Sequence, residues 1–270
     1  MRLRTVQRYA GLYRSFLGQS LKNEMIYRSN FLTLVVMDIA FMTLNVLLFR
    51  IIYGQVDNIA GWTFYQSMIL IGTVGIVREM AYLTFRQGFL ELGDEVRRGL
   101  VDTYMVRPMA VNLHLAFRHV SLTESLGEGV MGLILVVYGF THLDGTAWWS
   151  IPIYILFLFN SLAIYYGFSL LMNSIVFWVL KSQELNTIVY FFMETSRYPG
   201  DIFRGFGKLF FTFIIPIAVI VTAPASILAG PLRWEILAPS VIVSTVFLTS
   251  GLWVWQWSLP ASAAITLLFS

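Results

Sequence analysis

The sequence has no cysteine among its 270 residues. Disulfides, zinc thiolates and iron–sulfur ligation are therefore excluded. Charge is scarce: Asp, Glu, Lys and Arg make up 12% of the chain, about half the share of an ordinary soluble domain. Histidine is nearly missing, with three residues. His114 and His119 stand five apart with no carboxylate or cysteine to complete a ligand set, so they read as solvated loop residues. Catalytic signatures are missing as well. Gly207-Lys208 imitates the end of a phosphate-binding loop, but Ile202 stands where its upstream glycine belongs. Leu209 replaces the required Ser or Thr. No Gly-x-Ser-x-Gly elbow or Ser–His–Asp arrangement is found. An enzyme is not indicated, and the chain is expected to hold neither cofactor nor metal.

What is present is apolar, at 57% of the residues, and it comes in long runs. The expected fold is all-α and membrane-spanning, with six transmembrane helices in one domain over 1–270 and both termini cytoplasmic. The first span covers 31–53, close to the ~20 residues a bilayer requires. Further spans follow at 62–83, 120–140 and 151–180, and the last at 236–257. The net charge of +3 does not point to nucleic acid, because the basic residues gather beside apolar runs. Arg2, Arg4, Arg8, Arg14, Lys22 and Arg28 precede the first span. Arg86, Arg97, Arg98, Arg107 and Arg118 fill the loop after the second. This positive-inside bias places both segments in the cytoplasm. Residues 1–30 are also amphipathic and read as an uncleaved interfacial helix on lipid headgroups.

Arg78 and Glu79 mark the inner end of the second span, and three further carboxylates fall inside apolar spans. Asp38 is either functional or paired with a basic residue of a neighbouring helix. Glu124 and Glu128 lie one turn apart on one helical face. That spacing suits an acid–base or cation site, but the glycines around them (Gly127, Gly129, Gly132) indicate close helix packing, which favours a structural or conformational use.

The polar interval after the second span is patterned like a helix. Phe89, Leu92, Val96, Leu100 and Tyr104 recur at three- and four-residue steps, with Glu91, Asp94, Glu95, Arg98 and Asp102 opposite. Pro108 stops the run. Residues 86–108 are thus expected to form a cytoplasmic helix that docks a soluble partner, or else a charged face lying on headgroups. Between 184 and 232 two topologies remain open. In one, Glu184–Pro199 crosses outward, and Gly205–Leu232 dips into the outer leaflet and returns, broken by Pro216, Pro224 and Pro231. In the other, Glu184–Lys208 stays at the inner surface and Leu209–Ala229 crosses. The basic residues Arg197, Arg204 and Lys208 favour the second; the prolines favour the first.

These residues carry a resemblance. An amphipathic basic start, six spans and a helical loop after the second span resemble the permease subunit of an ABC-2-type ABC transporter. RRGLVDTYMVRP is similar to the arginine-glycine, leucine and arginine-proline signature of a largely uncharacterised branch of that family. FWVLKSQELNTIVYFFMETSRYP and IIPIAVIVTAPASILAG resemble its second-half pattern, and Gly99, Arg107, Pro108, Arg197, Tyr198 and Pro199 carry it. The resemblance covers about residues 5 to 257; the tail WQWSLPASAAITLLFS is more apolar than that branch's end. It implies an export permease in the cytoplasmic (inner) membrane with no ATPase of its own. Two separately encoded ATPase chains, carrying ATP and Mg, would be its partners, with a second permease chain that is often a different homologue. Glu91, Asp94, Glu95, Arg97, Arg98 and Arg107 would contact the ATPase. The rival reading is a membrane scaffold or sensor that docks a soluble partner without transport. A proton-coupled carrier using Asp38, Glu124 and Glu128 is weaker, since no inverted repeat is visible.

Overall fold

A computed structural model describes residues 28–105, 111–118, 126–143, 147–179 and 182–269. Residues 1–27, most of the expected interfacial helix over 1–30, lie outside the described residues, as do Arg107, Pro108, His119 and Glu124. Among the described residues every named element is helical. In chain order these are α1 (Arg28–Tyr53), α2 (Phe64–Tyr82), α3 (Arg86–Arg97), α4 (Leu100–Met105), α5 (Val111–Arg118), α6 (Leu126–Thr141), α7 (Ser150–Ser174), α8 (Val176–Val179) and α9 (Ser182–Thr195). A 3-10 turn (Gly200–Ile202), α10 (Phe206–Leu209), a π-helical turn (Phe210–Ile214), α11 (Ile217–Ala229) and α12 (Trp234–Phe269) complete the chain. Three helices (31–53 within α1, α7, and 234–259 within α12) are long and apolar enough to cross a membrane, and up to five when each bent pair counts as one span.

The centre of the bundle is α2, whose stretch from Ser67 to Gly75 is buried throughout. It lies antiparallel to α6 because glycines let the two backbones touch. A Cβ added to Gly75 would stand 2.7 Å from the Glu128 carbonyl oxygen, and one added to Gly139 would stand 2.5 Å from that of Tyr65. Gly72 and Gly132 face each other between those points. Small residues that admit a backbone are a recurrent device for joining helices in lipid, where the hydrophobic effect does not pull them together. A second such crossing joins α7 to α12, at Gly167 and Gly251. The first helix is peripheral: Leu32, Met37, Leu44 and Ile51 are each more than 60% exposed.

Several sequence expectations change here. The helix expected over 86–108 is not one surface helix. It continues α2 after a turn at Leu83–Phe85, bent by 44°, and ends at Arg97. Gly99 has φ +67°, the left-handed conformation that ends helices and that glycine adopts without steric cost. The apolar repeat runs through this break, so periodicity alone could not show it. The run expected over 151–180 is interrupted at Ile175, and the helix expected over 236–257 extends over Trp234–Phe269, through Pro260.

Candidate functional site: a buried ion network and the helix beside it

Two arginines and two glutamates from three parts of the chain meet between the helices. Arg78, near the end of α2, pairs with Glu128 of α6 at 2.9 Å and with Glu194 of α9 at 2.7 Å. Arg197, just beyond α9, pairs with the same two carboxylates at 3.1 and 2.8 Å. The charges of the four sum to zero, and each carboxylate meets both guanidinium groups. Such closure is what lets ions persist in a low-dielectric interior, where an isolated charge costs several kcal/mol or more. Arg78, Glu128 and Arg197 are all buried. Aromatic faces surround the cations: Arg78 lies 4.5 Å from the Tyr190 ring centre and Arg197 4.9 Å from that of Phe41, so part of each cation rests on π density. Asp38 stands at the edge of the network, half-buried against Gly127, with its Oδ2 lacking a hydrogen-bond partner among the described residues.

From this network α9 runs to α3. Asn186 donates to the Phe89 carbonyl of α3 at 3.1 Å and to Asn173 Oδ1 of α7 at 3.0 Å. All three residues are buried. The apolar stripe of α3 and α4 (Phe89, Leu92, Val96, Tyr104) is buried within the chain itself and is therefore not free to dock a soluble partner. Its charged residues divide. Asp94 and Arg97 form an exposed pair at 2.6 Å, and Arg98 beside them is exposed. Glu91 is half-buried and accepts from Gln87 at 3.2 Å. Glu95 is buried and accepts from the Tyr104 hydroxyl at 3.0 Å. The surface that α3 leaves open is thus a corner made by Asp94, Arg97 and Arg98.

A model of ABC-2 family transporter proteins matches residues 39–261, which include α3, its exposed corner and all four residues of the ion network. The chain belongs to the ABC-2 transporter family. No curated protein and no solved structure matches it. As an ABC-2 family protein it is a multi-pass membrane chain, and members of that family are membrane components that work with ABC ATPases rather than catalysts themselves.

Sequence reasoning placed Glu128 and Asp38 in spans but missed what they meet in this ABC-2 chain. Arg197 is not a free basic residue marking the inner surface; it is consumed by Glu128 and Glu194. Arg86 is not a solvated loop cation either. It is buried, donates to the Tyr165 hydroxyl at 2.9 Å and lies over the Tyr82 ring at 5.0 Å. His114 is likewise buried, its ring centre 4.5 Å from that of Tyr104, so it is not a solvated loop residue. Glu194 was overlooked entirely. The signal for it was available, since Glu194 and Arg197 are three apart and both lie next to apolar residues that leave few other partners.

Proposed function

We propose that this protein is the permease subunit of an ATP-driven exporter, and that a separate ABC ATPase docks on the Asp94–Arg97–Arg98 corner. The observation that carries this reading is the dual character of α3. One face is exposed and charged, and the other is buried against α9 through Asn186, which leads to the ion network. A push on the corner therefore acts on a packed helix rather than a loose loop, and packed elements transmit displacement well. Rearrangement of α9 would strain the Glu194 and Arg197 pairs, which hold α2 and α6, and so pass the ATPase stroke to the spans. Two ATPase chains would supply ATP and Mg. A second permease chain, homologous and often different, has room beside the open face of α1.

In this topology both termini are cytoplasmic and six spans cross. Glu184–Pro199 rises outward, and Gly205–Leu232 dips into the outer leaflet and returns. Support comes from the ion pair of Asp201 with Arg233 at 2.8 Å and from Gln66 donating to the Ala229 carbonyl at 2.7 Å. These contacts bring the start and end of the broken helix pair to the same end of the bundle, beside the start of α2. Its two halves meet at 94°, as a hairpin that turns back within a leaflet would require.

The test is co-purification followed by a coupling assay. The solubilised chain should bring down an ATPase, and reversing both corner arginines (R97E with R98E) should abolish substrate-stimulated ATP hydrolysis in vesicles while membrane insertion stays normal. Undiminished stimulation in the double variant would refute the docking corner. Failure to recover any ATPase would instead favour a scaffold.

A further inference from the structure

At the end of the bundle marked by Trp62 and Trp234 lies a cleft of about 360 Å³, within the small end of the range for ligand pockets. The 3-10 turn, the broken helix pair and the first turn of α12 enclose it. Four charged residues line it: Asp201, Lys208, Arg233 and Glu235. They are not equivalent. Asp201 takes Arg233 as its ion-pair partner and accepts from the Trp62 indole at 3.1 Å, so those two charges neutralise one another. Lys208 lies close enough to Asp201 to feel its charge, but neither it nor Glu235 forms an ion pair among the described residues. One cation and one anion with no ion-pair partner among the described residues therefore line the same cleft. Leu209, Phe213 and Ile236 add apolar surface to the same lining. Beside the mouth, Phe206 is 77% exposed and Trp234 69%; large aromatics of this kind settle at the depth of lipid headgroups.

We propose that this cleft binds the head group of a zwitterionic phospholipid. The lipid phosphate meets Lys208 and its ammonium meets Glu235, with the acyl chains lying over Leu209, Phe213 and Phe206. A net-neutral head group completes the charges of the cleft, whereas an anionic lipid, with a phosphate but no ammonium, would leave Glu235 without a counter-charge. Placement of the cleft in the outer leaflet rests on the topology proposed above. The binding itself does not, because it involves neither the docking corner nor an ATPase.

The experiment is native mass spectrometry of the full chain in detergent, offered dioleoyl phosphatidylethanolamine, phosphatidylglycerol or diacylglycerol at equal concentration. Phosphatidylethanolamine should be retained above both others. K208Q and E235Q should each lower its retention about three- to fivefold, the scale of one partly exposed ion pair, and E235Q should raise retention of phosphatidylglycerol. Both side chains are exposed, so folding should survive, which a melting curve in the same detergent verifies. Equal retention of diacylglycerol would reduce the cleft to an acyl-chain groove and overturn the proposal. Preference for phosphatidylglycerol, or no response to either substitution, would overturn it as well. ATPase co-purification with K208Q and E235Q should be unchanged, so this proposal and the permease reading can fail separately.

Discussion

Glu128 sits at the point where removal of one charge does the most harm. It faces Arg78 and Arg197 together, so E128Q leaves two buried guanidinium groups sharing Glu194 alone. Breaking a buried pair from one side costs about 3–5 kcal/mol, because the remaining charge loses its compensation. E128Q should therefore lower the melting temperature in detergent markedly. Adding R197Q restores neutrality and should recover part of the loss. Simple additivity of the two single substitutions would argue against a coupled network. Glu95 departs from its pattern in a different way. Its position on the polar side of an amphipathic repeat marks it for solvent, yet it is buried and held by Tyr104. A helical wheel reports which side a residue takes, but not whether a neighbouring element covers that side.

Between elements, the α2–α6 seam is close-packed at several successive glycines. Gly72 faces Gly132, and a side chain at Gly72 would run into the Gly132 carbonyl and the Val136 side chain. G72L should separate the two helices, at about 1–3 kcal/mol for overpacking of this kind. Because Arg78 and Glu128 lie further along the same seam, it should also loosen their pair. Faster hydrogen exchange in 126–136 than in 150–165 would verify this, and uniform exchange would count against a localised effect. Gly132 was legible in the sequence as a close-packing residue, whereas its partners Gly72 and Gly75 in α2 gave no such signal. The break at Gly99 was harder to see, because the apolar repeat crosses it and only a backbone angle shows that the helix has stopped.

For the molecule as a whole, the Asp201–Arg233 pair closes the hairpin of residues 202–232 on itself. Burial alone would raise the Asp201 carboxyl. Hydrogen bonds from Arg233 and Trp62, with the Arg233 charge, outweigh that and hold it below the usual carboxylate range. A carboxyl lowered by folding adds stability that is fully present above its unfolded value, about pH 3.9, and lost as pH falls through its folded value. Acidification below about pH 4 should therefore release the latch and accelerate proteolysis between Ile202 and Leu232. In D201N that acid step should be absent, with cleavage already raised at neutral pH. A D201N profile identical to the parent protein would place the acid-sensitive group elsewhere.

The order of apolar and polar runs by itself determined that this is a helical membrane protein, and RRGLVDTYMVRP with METSRYP pointed to its family. Those properties follow from local sums: hydropathy over about twenty residues, or a motif within twelve. Tertiary structure alone decided which charges are free. Arg78 and Glu194 are 116 residues apart, and nothing near either one names the other. Partner choice depends on how each helix is rotated and where glycines let backbones close. Arg97 and Arg98 remained at the surface, while Arg78, Arg86 and Arg197 were buried among carboxylates and rings. The same side chain is an exposed surface charge in one place and internal structure in the other.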